Sequence, residues 1–281
     1  MTRRGPRVWS MMVSTETRIL LAAVLVGSMV SVARATDGAR EILHERRRLY
    51  ETTYAWSDQH QVLRVTMVGR DGREQVRVLE IYERRYGDGD RRTLLTFLAP
   101  DALKGTAMLS RLRTGGAGER WLYLPKLRRV RRIAAPISDE SVLGTDLTNR
   151  ELDLMQAMVK WTESDTRATL RGDALIGGTR TYVLELVPRA QEGEYERLVL
   201  WVGTDDLVMR QLELYGADTA VTKRIRQTEV AFVGTVPVAS HVEVENPRSG
   251  TRSAFDVLTM EFDKGFPEDM FNLSFLEGTG R

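Results

Sequence analysis

The side chains that most often carry reaction chemistry are sparse and scattered in this sequence. His44, His60 and His241 are its three histidines, and none has a histidine partner at the i, i+4 spacing that sets two metal ligands on one helix face. Each reads as a surface or capping residue. Cysteine is absent, which excludes thiol catalysis, thiolate metal sites, disulfides and a lipid-modified N-terminal cysteine. RTGGAGER (113–120) is glycine-rich but lacks the Lys-Ser/Thr of a phosphate loop, and no serine sits in a G-x-S-x-G elbow. Asp139-Glu140 and Asp205-Asp206 are adjacent acids in turn-like contexts, where carboxylates are normally solvated. Two acids distant in sequence but close in space, of the kind that cleaves glycosides, stay open at this level. The expectation is a chain that is not an enzyme and has no catalytic centre, no metal and no cofactor.

One stretch is chemically concentrated. WLYLPKLRRVRRI (121–133) sets an aromatic and aliphatic run against Arg128, Arg129, Arg131 and Arg132. As a strand, neither of its faces is apolar. It suits an edge strand whose charges block edge-to-edge pairing. It equally suits a basic rim beside an apolar mouth, meeting lipid head groups, an anionic membrane or an acidic partner. A nucleic-acid surface fits poorly, because the charge balance of the remaining chain is not basic.

That balance depends on the first 35 residues. Four arginines precede the apolar run Ile19–Val30, which is 12 residues long, against the roughly 20 needed to span a bilayer. Ala33-Arg34-Ala35 then gives the small-x-small pattern of a signal-peptidase site. The expectation is a signal peptide over 1–35, cleaved after Ala35, with a retained membrane anchor as the alternative. Its five arginines and one glutamate account for the excess of base, so the formal charge falls from +2 for the full chain to −2 without it.

The elements that must position these residues follow from periodicity. A helix is expected over 39–51, with Asp37 as its N-cap. The period then changes to two. Strands are expected over 62–68, 74–82, 91–98, 106–113, 119–124, 127–133, 167–176, 180–187, 197–202, 207–215, 221–233, 239–246 and 251–262. Asp71-Gly72 and Gly177-Gly178 have the composition of tight hairpins, and Asp205-Asp206 joins another pair. A second helix, 149–161, interrupts the series, with Leu152, Met155, Gln156 and Val159 at helical spacing and Asp146 or Thr148 at its start. Strands joined by turns without alternating helices argue for an antiparallel sheet. The fold class is therefore mainly β with a few helices: one domain over 36–281, a curled antiparallel sheet or incomplete β-barrel closed by short helices. Its interior is either a filled core or a ligand cavity.

The block LLTFLAPDALKGTAML…RWLYLPKLRRVRRIAAPISDESVLGTDLTNREL (94–152) resembles the outer-membrane lipoprotein-sorting family. Its members are LolA-like periplasmic carriers often found beside RND/MMPL-type exporters. Pro100, Lys104-Gly105-Thr106, Trp121–Pro125, Arg131-Arg132-Ile133 and Gly144-Thr145-Asp146 carry the likeness, and FPEDMFNLSFL (266–276) resembles the family's closing segment. Leu147 departs from the aromatic often found after the Gly-x-Asp step. The resemblance implies a lipid-binding, LolA-like incomplete barrel in the periplasm, holding acyl chains of a lipoprotein or long-chain lipid in a hydrophobic cavity and delivering them toward the outer membrane.

On that reading the cavity candidates are Leu63, Val65, Met67, Trp121, Tyr123, Met155 and Trp201. The lid is the two helices with 134–148, including Ile137, Leu143 and Leu147. Arg128, Arg129, Arg131 and Arg132 form the docking rim, for transient contact with a membrane surface. Unbranched methionines, seven of them after residue 35, suit variable chain packing. The alternative is a periplasmic adaptor of an RND-type exporter that binds a protein rather than lipid.

Overall fold

The computed structural model describes residues 36–87, 89–113, 118–133, 139–189 and 194–278. After a helix over 36–51 (α1) come thirteen strands in one antiparallel sheet. These are β1 (Asp58–Val68), β2 (Glu74–Arg85), β3 (Arg91–Ala99), β4 (Ala107–Leu112), β5 (Glu119–Leu124), β6 (Arg129–Ile133), β7 (Thr166–Ile176), β8 (Thr179–Pro188), β9 (Arg197–Gly203), β10 (Met209–Tyr215), β11 (Val221–Val233), β12 (Val236–Asn246) and β13 (Thr251–Phe262). Helix α2 (Asn149–Met158) lies between β6 and β7, and α3 (Leu273–Gly278) follows the last strand.

Chain order and spatial order differ at one seam. The sheet runs β6-β5-β4-β3-β2-β1-β13-β12-β11-β10-β9-β8-β7, so the first strand pairs with the last and the free edges are β6 and β7. Gly177 and Gly178 both take positive φ (54° and 82°), as the two-residue β7–β8 turn requires. Register shifts interrupt β1, β2, β7, β10 and β11. Such bulges bend strands and increase their twist, which curls the sheet without closing it.

Directly paired residues share a face, so the register assigns the two surfaces. The concave face carries Leu63, Val65 and Met67 on β1, Leu79 on β2, and Leu95 and Phe97 on β3. It continues through Leu184, Leu200, Leu212, Ile225 and Val244 on β8 to β12. The convex face is polar over most of its area but not everywhere. Across β3–β5 it presents Leu94, Ala107, Leu109, Trp121 and Tyr123, which the C-terminal segment covers with Phe271 and Leu276. Arg111 fixes that segment by donating to Phe271 O and Asn272 Oδ1, both at 3.1 Å.

Three expectations need correction. Helix α1 already runs at residue 36, so Asp37 lies inside it and accepts from Arg40 at 3.1 Å rather than capping it. Helix α2 ends at Met158, and its inward stripe is Glu151, Leu154, Met155 and Met158 rather than Leu152 and Val159. Strand β6 begins at Arg129, because Pro125–Leu127 form a 3-10 turn ending in Arg128 at φ 48°.

Candidate functional site

Among the described residues the most extensive buried apolar cluster lies on the concave face, and the chain covers it with its own elements. From α1 come Ala39 and Leu43, from the loop before α2 comes Leu147, and from α2 comes Met158, all buried against β8–β12. Leu143 packs on the neighbouring group formed by Val65, Leu79, Leu95 and Phe97. Helix α2 touches both halves of the curled sheet. Leu154 and Met155 pack toward the β8–β10 side, while Gln156 accepts from Arg91 of β3. Asp153, also near Arg91 and Arg120, has its carboxyl pushed up by burial against the pull of those two cations.

What holds this cover down is polar. Glu151 closes a capping box with Thr148: its Oε2 accepts from Thr148 N–H at 2.7 Å, and its own N–H donates to Thr148 Oγ1 at 3.2 Å. The same carboxylate, 1 % exposed, meets Lys223 Nζ of β11 at 3.0 Å, and Lys223 is 5 % exposed. Lys223 also donates to Asp146 O, and the Tyr195 hydroxyl donates to Glu151 Oε1. Burial first, then that bond, pushes the Tyr195 hydroxyl far above its ordinary range, so it stays a donor. Two residues before Thr148, Asp146 is seated on β13. Its Oδ2 accepts from Ser253 Oγ at 2.7 Å, its N–H donates back to Ser253 Oγ at 2.9 Å, and Thr251 donates to its other oxygen. Arg77 of β2 donates to Leu143 O. At the far end of α2 the buried Arg46 of α1 donates to Met158 O at 3.2 Å, where a cation meets the negative end of the helix dipole. Burial pulls the Arg46 guanidinium below its usual value.

The arrangement amounts to a latch. Residues 139–158 cross the mouth of the sheet without joining any strand ladder, apart from one bridge between Ser141 and Thr148 within the segment itself. Side-chain bonds to β2, β11 and β13 fix them. A ladder would have to be broken strand by strand, whereas a few side-chain contacts can be released together.

The sequence-derived candidates divide. Leu63, Val65 and Met67 are on the concave face and Met155 points into it from α2. Leu143 and Leu147 lie in the cover, and Ile137 falls outside the described residues, as do the leader and its cleavage site. Trp121 and Tyr123 face the other way, beneath Phe271. Trp201 is also on the convex face, opposite Gln211 and Val183. A continuous apolar run cannot reveal which alternate set points inward. Of the arginines, Arg128 caps the β5–β6 turn, while Arg129 and Arg131 follow on edge strand β6. Arg132 pairs with Glu119 at 2.8 Å.

His44 is exposed on α1, and the other two histidines are remote from the cover. His60 stacks on Tyr82 and lies between Glu80 (3.1 Å) and Glu261 (3.2 Å) on the convex face. His241 bonds Asp256 at 2.6 Å, which raises its pKa. A pocket of about 690 Å³ lies elsewhere, where Leu175 and Ile176 of the β7–β8 hairpin approach Arg210, Gln211, Arg226 and Thr228. Sequence reasoning missed Lys223, Tyr195, Ser253 and Thr251. The available signal was Lys223 in register with inward Ile225 on VTKRIR.

A family model described as that of an uncharacterized protein matches residues 89–278. A DUF1329 family protein from Desulfovibrio piger ATCC 29098 superposes with a TM-score of 0.72 at 23% identity, covering 86% of this chain and 99% of that one. A putative outer membrane lipoprotein-sorting protein domain from Vibrio parahaemolyticus gives 0.70 at 22% identity, with 86% and 99% covered. A LolA superfamily protein from Nitrosomonas europaea gives 0.55 at 18% identity, with 84% and 98% covered. No curated protein matches. Among the described residues no helix is long and apolar enough to cross a membrane.

Proposed function

From the premise that the chain belongs to the family matching residues 89–278 and has a LolA-like fold, we propose that it carries acyl chains. In this reading the concave face takes the acyl chains of a lipoprotein or other lipid in the periplasm and delivers them toward the outer membrane. One observation carries the proposal: a concave face built of two apolar clusters that meet at Phe255 is covered by a segment held through releasable polar contacts rather than strand pairing.

The energetics fit a hand-off. Enclosing a sixteen-carbon chain is worth on the order of 12 kcal/mol at about 0.8 kcal/mol per methylene. Admitting it means displacing Leu143, Leu147 and Met158, at about 2 kcal/mol each, while Glu151 and Lys223 exchange each other for water at little net cost. The net is roughly 6 kcal/mol, enough to hold a lipid and little enough to surrender it. A cavity permanently open would bind far more tightly and release slowly. In this account Leu63, Val65, Met67 and Met155 line the acyl site.

A second reading has its own observation. The cover fills the concave face with the chain's own side chains, as it would in an adaptor that binds an exporter protein and no lipid. Native mass spectrometry of residues 36–281, purified from their native envelope without detergent, separates the two. A stoichiometric adduct removed by organic extraction supports the carrier. A clean apoprotein mass, unchanged after incubation with envelope lipids, rejects it.

A further inference from the structure

One end of the sheet carries a charge cluster that the carrier reading leaves unused. The β3–β4 turn and the β5–β6 turn lie side by side there: a Cβ placed on Gly105 would sit 3.7 Å from Pro125 Cγ. Lys104 is exposed on the first turn; Lys126 and Arg128 on the second, and Arg129 and Arg131 just beyond, are exposed too. Among the described residues none of these five forms an ion pair. Solvent-facing arginines elsewhere in the molecule are commonly paired, including Arg47 with Glu51, Arg171 with Glu185, Arg180 with Asp173 and Arg248 with Asp218. Asp101 is the one acid of the two turns. In the middle of the cations Leu127 is 53 % exposed. The 3-10 turn Pro125–Leu127 presents it, and Arg128, in the left-handed region, donates its N–H back to Pro125 O at 3.2 Å.

We propose that this end is a docking surface for an anionic bilayer, with Lys104, Lys126, Arg128, Arg129 and Arg131 on the head groups and Leu127 entering the interface. Charge alone would suit an acidic protein equally. An apolar side chain held out between cations is the arrangement of an interfacial anchor, where it gains from leaving water while its neighbours keep theirs. The proposal deepens the carrier reading, on which its purpose rests but its geometry does not. It also revises the basic rim: Arg132 is engaged by Glu119, while Lys104, Lys126 and Leu127 join it.

The test is co-sedimentation of residues 36–281 with phosphatidylcholine vesicles and with vesicles containing about one-third phosphatidylglycerol. Each cation near an anionic surface is worth about a fivefold factor in partitioning. Binding should therefore require phosphatidylglycerol, fall steeply with salt, and drop about 25-fold in Lys126→Gln/Arg128→Asn, where asparagine tolerates the left-handed backbone. Leu127→Gln should weaken it with little change in salt dependence. Equal partitioning onto both vesicle types, or unchanged binding by the double variant, overturns the proposal. So does binding to polyglutamate without binding to vesicles, which assigns the surface to an acidic protein. The lipid adduct by native mass spectrometry is read on the same variants. Its absence counts against the carrier, and loss of vesicle binding with the adduct intact concerns docking alone.

Discussion

Lys223→Met tests whether the polar latch holds the cover. The substitution keeps the length and packing of the side chain but removes the ammonium 3.0 Å from Glu151. The carboxylate, 1 % exposed, is left with the Tyr195 hydroxyl and the Thr148 N–H as its donors. Stranding a buried charge in this way costs about 3–5 kcal/mol, which corresponds to a population change of about 150- to 5,000-fold. Hydrogen exchange at the amides of α2 is expected to accelerate by that factor, while amides of β8–β10 change little. Glu151→Gln on the same background should recover most of the protection, because the amide oxygen still accepts from Thr148 N–H and no charge is stranded.

Unchanged α2 exchange, or a single variant no worse than the double, would refute the idea that this pair fastens the cover.

Other outcomes follow from the same contacts. Asp146→Asn should cost about 1.5–3 kcal/mol by weakening charge-assisted bonds from Ser253 and Thr251, read as lower exchange protection over residues 141–148. Leu212→Ala, at a fully buried concave-face position, should destabilise by about 2–5 kcal/mol, seen as a lower urea midpoint with an unchanged slope. His241 is held above 6.5 by its bond to Asp256. Its contribution should be full below about pH 6.5 and vanish as pH rises through the raised value. Melting curves of wild type and Asp256→Asn should therefore converge at high pH, and a constant gap would contradict this.

The strands, their number and the interrupting helix were legible because period-two and period-3.6 patterns are carried by local residue types. Which face of each strand is inward was legible only where one face is polar. On VLRVTMV the alternation assigned Leu63, Val65 and Met67 correctly. On WLYL it failed, because the C-terminal segment buries the convex face there and leaves both alternate sets apolar. The latch was half visible. Glu151 occupies a place in the stripe 151, 154, 155, 158 where an apolar residue would be expected, and Lys223 shares a face with Ile225. Each is an inward charge that needs a partner. Pairing them takes the tertiary structure, since 72 positions separate them.

The seam between β1 and β13 sets the order in which this sheet can form. Its register runs from Gln59↔Phe262 to Val68↔Arg252, so the middle of the sheet joins residues from opposite ends of the chain. Such non-local pairing is the slow part of folding, because the closure entropy of nearly the whole chain must be met before the contact forms. A chain emerging from its N-terminus lays down β1–β6 as a half-sheet whose inner edge stays open until the last strand arrives. The late step thus falls at the centre, and a holdase gripping the exposed edge of β1 would keep both halves apart until residue 262 is free.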